Sequence, residues 1–460
     1  MDINKLLKPN SIAIVGMSED KGYGKSLYQN MLNLGQNVEN VYFVNPKKDK
    51  IFDKKCFKKI YDIGIDIDLA IICSNKNTII QILNDGKKCN LKSAVIYASG
   101  FSETGKIEDK VFEEDLVKTA KELDIALLGP NCAGFVNFVN NIEAFGFLTE
   151  KRERKGNVAF VSHSGQFCLS MMDDNRMKMS YDISCGNGSV VSMEDLLLYL
   201  VEDENTKVIS AYVEAINDNT KFEDFLNTAK KNNKHVVLLK SGKSNESISI
   251  SKRHTTNVDG ENGLNNFFSI CEEYGAIVVD DFEELLCAVN LLSTIKFLPK
   301  TDNVCSINMS GGVACLMSDV GKKYNIRYEQ FNEEITNYLK SQMPEYASVN
   351  NPLDMTITMA YDTEHFKKVL EMILKDDSIG IIVIGYTLLL KIDDECIYHL
   401  YSALKDINDE EKMTKPICFI PIFSCTRNYE YQEKLRELNI PILSTPVYAF
   451  NVIKKVFKSL

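Results

Sequence analysis

Short apolar runs rich in β-branched residues alternate with helix-like stretches along the first third of this chain, beginning at Ile12–Val15. They recur at Val41–Val44, Leu69–Cys73, Ala94–Tyr97 and Ile125–Leu128. That rhythm implies a parallel sheet with crossover helices. Such a sheet takes its ligands beyond the carboxyl ends of its strands. Those ends carry Gly16, Asn45, Cys73-Ser74-Asn75, Ser99-Gly100-Phe101 and Gly129-Pro130-Asn131. Loop formation explains each of them singly, whereas a ligand edge explains why every strand ends in small, polar or turn-forming residues.

The first strand runs into Gly16 and a turn of small residues, Ser18, Gly22, Gly24 and Ser26, before a helix expected over about Leu27 to Leu34. This reads as a nucleotide-binding βαβ unit. The second strand ends in Asn45-Pro46-Lys47-Lys48, where a nicotinamide-binding unit would carry an acid for the adenosine ribose. Lysines at that tip suit a ligand with an extra phosphate, as coenzyme A has on its ribose, because an ammonium pairs with phosphate as a point charge. A solvated basic turn is the plainer alternative. Gly24-Lys25-Ser26 imitates the end of a P-loop, yet Glu19 stands where that motif needs its first glycine, and its carboxylate would oppose a triphosphate. The spacing of Gly16, Gly22 and Gly24 also departs from G-x-G-x-x-G.

With 460 residues the chain has room for about three domains, each with its own core. A net charge of -11 argues against a general nucleic-acid binder, so basic clusters are expected as local pockets. The 13 cysteines include no Cys-x-x-Cys pair, and Cys73, Cys287 and Cys315 fall in apolar runs. They are expected to be buried free thiols in a reducing compartment. The start, Met1-Asp2-Ile3-Asn4-Lys5, lacks an apolar signal core, and no run of about eighteen apolar residues occurs. The expectation is a cytoplasmic protein without membrane or nucleic-acid partners.

Two later openings repeat one pattern. Gly156 to Val161 leads into Ser162-His163-Ser164-Gly165 and a helix, and Asp302 to Ile307 leads into Asn308-Met309-Ser310-Gly311-Gly312 and another. Asn157 and Asn303 are as far apart as Ser164 and Ser310, an internal repeat of about 146 residues. In each copy a strand feeds a Ser-Gly turn and a helix N-terminus, whose free amides and positive dipole end can hold an anion.

Five histidines can be weighed singly. His365 and His399 lie in amphipathic helical patterns, and His235 begins a strand, so all three read as packing or surface residues. His163, between the serines of the anion-holding turn, can donate to phosphate or merely fill the turn. His254 follows the strand end Leu238-Leu239-Lys240-Ser241-Gly242-Lys243-Ser244, in a polar loop outside any core. Upstream, the strand Val208–Val213 ends at Glu214, on the carboxyl edge of the same expected sheet. A carboxylate there can accept a proton from one ring nitrogen, fix the tautomer and leave the other nitrogen nucleophilic. Histidine with an acid suits phosphoryl transfer through nitrogen.

Along nearly its whole length the chain resembles the alpha subunit of ADP-forming acyl-CoA synthetases, the acetyl-CoA synthetase relatives of succinyl-CoA synthetase. The segments that carry this are Ser11 to Gly16, Val44-Asn45-Pro46-Lys47, Ser99-Gly100-Phe101-Ser102-Glu103, Leu128 to Gly134, Val161 to Gly165, Lys240-Ser241-Gly242 and Asn351-Pro352-Leu353-Asp354. The resemblance implies an α/β protein with a Rossmann-type coenzyme-A-binding domain over 1–148, a flavodoxin-like domain with the histidine loop over 149–298, and a second flavodoxin-like domain over 299–460. Its coenzyme A contacts would come from Gly16, Ser18, Gly24, Lys25, Asn45, Lys47, Cys73, Gly100 and Asn131. It further implies that His254 is phosphorylated in turnover, with Glu214 as its partner and Ser162, Ser164 and Gly165 receiving the phosphate. No metal is expected on this chain. ATP or ADP and Mg2+ are expected on a separate ATP-grasp beta subunit, in a hetero-oligomer that acts on an acyl-CoA or its carboxylic acid.

The sequence departs from that family at two places. Lys252-Arg253-His254-Thr255-Thr256-Asn257 replaces a loop with serines before the histidine and Thr-Gly-Ser after it, and Asn75-Lys76 replaces a Pro-containing turn. A rival reading follows: a non-catalytic coenzyme A or acyl-CoA binding regulator that keeps the first turn while its histidine loop drifts.

Overall fold

The computed structural model describes residues 1–20, 22–150, 155–251, 261–344, 348–356, 359, 361–392, 394–423 and 428–460. Packing divides the chain into two compact units, Met1–Val279 and Asp280–Leu460.

The first unit holds two sheets. The strands β1 (Ile12–Val15), β2 (Val41–Val44), β3 (Lys50–Ile51), β4 (Lys54–Phe57), β5 (Leu69–Ile72), β6 (Ser93–Ile96) and β7 (Ala126–Leu128) form one, in the order β3-β4-β2-β1-β5-β6-β7. Only the β3–β4 pair is antiparallel. Ile12 of β1 is flanked by Val41 of β2 and Leu69 of β5, so the strand order reverses at β1, and the crevice of such a sheet opens beyond that strand's carboxyl end. All four residues of β1, β5 and β6 are buried. Strands covered on both faces read as continuous apolar runs, which is why the sequence shows them so plainly.

The second sheet comprises β8 (Gly134–Asn137), β9 (Ile142–Phe145), β10 (Lys155–Ser162), β11 (Met179–Ser184), β12 (Val208–Val213), β13 (His235–Lys240) and β14 (Ile277–Val279), in the order β14-β13-β12-β10-β11-β8-β9. The strands β10 to β14 are parallel, and β8 runs antiparallel to both β11 and β9. Here the reversal falls at β10, between β11 and β12. The hairpin β8–β9 follows the first sheet in sequence but completes the second.

In the second unit β15 (Val304–Asn308), β16 (Leu353–Asp354), β17 (Ile381–Gly385) and β18 (Ile417–Phe419) form a parallel sheet ordered β16-β15-β17-β18. The helix Phe282–Thr294, with Leu285, Cys287, Ala288 and Val289 fully buried, packs on the helix Pro446–Ser459 and so belongs to this unit. The division into three domains at 148 and 298 remains a proposal, since compactness by itself gives two units. The expected α/β class holds throughout. Both copies of the repeated opening are present, with helices starting at Gly165 after β10 and at Gly311 after β15.

Among the described residues every cysteine is free and most are buried. Cys315 corrects the expectation: it is exposed, because Met317 and Gly321 take the buried side of the helix Gly311–Lys323. No helix among the described residues is long and apolar enough to cross a membrane.

Candidate functional site

The small turn after β1 needs its glycine. Gly16 has φ +86°, and a Cβ there would lie 3.1 Å from the backbone of Cys73 and Ser74, so the β1 turn and the β5 turn touch through their main chains. The Gly16 amide donates to the Val44 carbonyl at 2.9 Å. Asn45 then ties the β2 end back to the same turn, its side-chain amide donating to the Met17 carbonyl at 2.8 Å while its Oδ1 accepts the Lys47 N–H at 2.8 Å. This Asx turn presents the Lys47 side chain to solvent. The helix Tyr23–Leu34 begins at Gly22 without a side-chain cap. Gly24 lies in its first turn against Met17, and the exposed Lys25 donates to the Asp20 carbonyl at 3.4 Å. The half-buried Ser18 accepts the Asp20 N–H at 3.3 Å. Half-buried Cys73 follows β5, and burial pushes its thiol up to about 12, so it meets a ligand as a neutral group.

Gly100 and Asn131 stand at the ends of β6 and β7 in a different setting. The carboxylate of Glu103 accepts the Gly100 and Phe101 N–H groups at 2.6 and 3.1 Å, so those amides are already engaged. Lys76 donates to the Gly100 carbonyl at 2.5 Å and pairs with Asp109, which commits the residue that departs from the family's turn. Asn131 has φ +57° and donates through its side chain to Asn187 at 3.3 Å. Asn187 in turn donates to Glu103 at 2.9 Å and to Glu113 at 3.2 Å. The loop after β11 is thereby bonded to the edge of the first sheet. Gly186 lets it approach, since a Cβ there would lie 2.3 Å from the Pro130 carbonyl oxygen. Sequence reasoning missed Glu113; Asn187 lies in the loop Cys185 to Val190, which the sequence offered as a pocket wall and which the Gly186-Asn187-Gly188 turn marks.

The second edge lies at the ends of β10, β12 and β13. Ser162 is fully buried, accepts the Ser164 N–H at 3.0 Å and donates to the Ser164 carbonyl at 2.7 Å. Ser164 precedes the helix Gly165–Asp173 and makes no side-chain cap; the Phe167 N–H donates to the Ser164 carbonyl at 3.2 Å, and the Gly165 and Gln166 amides at the helix start are placed to take an anion. Gly165 permits close packing, its position for a Cβ lying 2.8 Å from that of Ala133. Glu214 directly follows β12, and its N–H donates to Nδ1 of His163 at 3.3 Å. Lys240, at the end of β13, donates to the Glu214 carbonyl at 2.7 Å. Burial holds the His163 imidazolium down to about 4, outweighing a backbone hydrogen bond with Tyr212 that favours the proton. The ring is therefore neutral near pH 7, and because Nδ1 accepts, its proton is on Nε2.

The structure thus gathers Ser162, Ser164, Gly165 and Glu214 on one edge, and Gly16, Ser18, Gly24, Lys25, Asn45, Lys47 and Cys73 around the β1 crevice. His254 lies outside the described residues. His365 stacks on Tyr338 with ring centroids 5.7 Å apart, and His399 shares a 2.9 Å hydrogen bond with Thr363, both packing roles.

Residues 10–137 match the family model of a CoA binding domain, and residues 155–292 match that of a succinyl-CoA ligase like flavodoxin domain. The chain is 28% identical to acetate–CoA ligase (ADP-forming) II of Archaeoglobus fulgidus, over 99% of this chain and 67% of that protein. It is 25% identical to acetate–CoA ligase (ADP-forming) I subunit alpha of Pyrococcus furiosus, over 100% of this chain and 98% of that one. It spans only about half the length of other curated relatives that it matches. Its fold is that of acetyl-coenzyme A synthetase 1 of Ca. Korarchaeum cryptofilum, with a TM-score of 0.85, 24% identity, and coverage of 100% of this chain and 97% of that one.

Proposed function

The chain belongs to the succinyl-CoA synthetase-like superfamily, with ADP-forming acetate–CoA ligases among its relatives, and on that premise we propose that it is the coenzyme-A-binding, phosphohistidine-bearing part of an acid–CoA ligase. The observation that carries this reading is the edge itself: an uncapped helix N-terminus at Ser164-Gly165 and a carboxylate at Glu214 stand on neighbouring strands of one sheet. Phosphate held by the first-turn amides attacks the thioester carbonyl of acyl-CoA. The thiolate of coenzyme A leaves, giving an acyl phosphate. A nitrogen of His254 attacks phosphorus and the carboxylic acid leaves. The phosphohistidine then gives its phosphoryl group to ADP, and the reverse sequence makes acyl-CoA. Glu214 orients the ring and stabilises its positive charge as the nitrogen–phosphorus bond forms.

Coenzyme A belongs at the first edge. The Gly16 cradle admits a backbone-close ligand, the helix after Gly22 offers uncapped amides to its phosphates, and Lys47 is free in solvent for the ribose phosphate. ATP or ADP with Mg2+ belongs to an ATP-grasp beta subunit in a hetero-oligomer, a division supported by the near end-to-end match with a relative named subunit alpha. The purified chain given ATP, Mg2+, acid and coenzyme A is expected to form no acyl-CoA, and added beta subunit to restore synthesis. Robust turnover by the chain alone would overturn this division of labour.

A further inference from the structure

The peptide group of Glu214 is gripped from both sides by side chains. The ladder between β10 and β12 ends at Ser162 beside Tyr212, and that between β12 and β13 ends at Val213 beside Lys240. Glu214 lies two residues beyond the first of these ends and one beyond the second. Its N–H is taken by His163 Nδ1 at 3.3 Å, and its carbonyl accepts the Lys240 ammonium at 2.7 Å. Lys240 is only 3% exposed and also donates to the Ser241 carbonyl at 2.8 Å. Burying an ammonium is costly and worth keeping only where its hydrogen bonds are made. Gly242, with φ +79°, brings the chain past this ammonium, its position for a Cβ lying 3.7 Å from the Lys240 nitrogen. His163 is itself fixed, its own N–H donating to the Tyr212 carbonyl at 3.4 Å.

We propose that His163 and Lys240 are positioning residues for phosphoryl transfer, two side chains that continue the sheet as far as Glu214 and so hold its carboxylate where the transferring histidine must meet it. This rests on the reading that Glu214 partners His254. An asparagine at 163 would keep an acceptor at the place of Nδ1, a glutamine would move it outward by one bond, and an alanine would remove it.

The test uses the full chain with acyl-CoA and labelled phosphate, reading the initial rate at which label enters the protein. His163→Asn is expected to label within about threefold of the parent, while His163→Gln and His163→Ala fall on the order of 10- to 100-fold with KM for acyl-CoA little changed. Equal rates in all three variants, or a loss that asparagine does not rescue, would overturn the proposal. Thermal midpoints identify a variant that has failed to fold, and nitrogen-15 NMR of the parent judges the grip without any activity. A neutral His163 ring protonated at Nε2 is expected, and a ring protonated at Nδ1 would overturn the proposal. A parent chain that takes up no label while showing the expected tautomer would instead sink the ligase reading.

Discussion

Asn187 donates a hydrogen bond to Glu103 at 2.9 Å, and that contact joins a loop of the second sheet to the turn that ends β6 of the first. Glu103 in turn holds the Gly100 and Phe101 amides. Glu113, which also accepts from Asn187, takes the Ser102 N–H at 2.8 Å, so a shift at Asn187 reaches the turn after β6 through two carboxylates.

Removing that link is expected to cost stability, because Glu103 and the largely buried Glu113 both lose a donor. Asn187→Ala should lower the free energy of unfolding by about 1 to 3 kcal/mol, the range for stranding a polar group. Asn187→Asp, which sets a third carboxylate beside two, should cost more, and the gap between the variants should narrow as the pH is lowered into the carboxylate range. Urea unfolding at two pH values checks both statements.

At the other end of the crevice, Lys47→Glu is expected to weaken coenzyme A binding by about 1 to 3 kcal/mol, the range for losing a charged hydrogen bond. A nicotinamide dinucleotide should not compete. Calorimetry with unchanged affinity would remove Lys47 from the site.

The Gly16 turn gives a sharper structural test. An alanine would hold φ near +86° against its preference and press a methyl carbon onto the Cys73 and Ser74 backbone. Gly16→Ala is expected to destabilise the chain by about 1 to 3 kcal/mol and to weaken coenzyme A binding more than it affects the far edge. Parallel measurement of unfolding and of ligand affinity separates the two effects.

Much of this was legible in the sequence. The strands β1, β2, β5, β6 and β7 announce themselves because parallel strands buried on both faces must be apolar throughout. The Ser162 and Ser310 turns are visible as a repeat for the same reason, each following such a strand. The hairpin β8–β9 was not legible, because whether Phe135 pairs forward or backward along the chain is decided by antiparallel contact with Ile183, which no local pattern records. The grip on Glu214 was hidden likewise, since His163, Glu214 and Lys240 are far apart in sequence and meet only once β10, β12 and β13 are in register. The exposure of Cys315 was missed because an apolar residue near a helix start reads the same whichever side it faces.

Acid should weaken the fold through two histidines. Burial holds both His163 and His235 down to about 4, against an ordinary value near 6.5, with the Lys207 charge adding to the effect at His235. Because the unfolded chain binds these protons first, stability should be level above about pH 6.5 and fall as the pH drops from there toward 4, by a few kcal/mol on the order-of-magnitude scale of such shifts. His235→Gln should flatten part of that slope in urea titrations taken across the window.

The central claim is that the chain carries a phosphoryl group on His254. Incubation of the purified chain with acyl-CoA and labelled phosphate, followed by acid and base treatment of the protein, tests it most directly. The expected result is label that is lost in acid and kept in base, absent from His254→Ala although that variant binds coenzyme A as the parent does, and slower to appear in Glu214→Gln. Label that persists on His254→Ala, or a variant that loses coenzyme A binding and thermal stability together, would contradict the claim and leave a binding regulator as the better account.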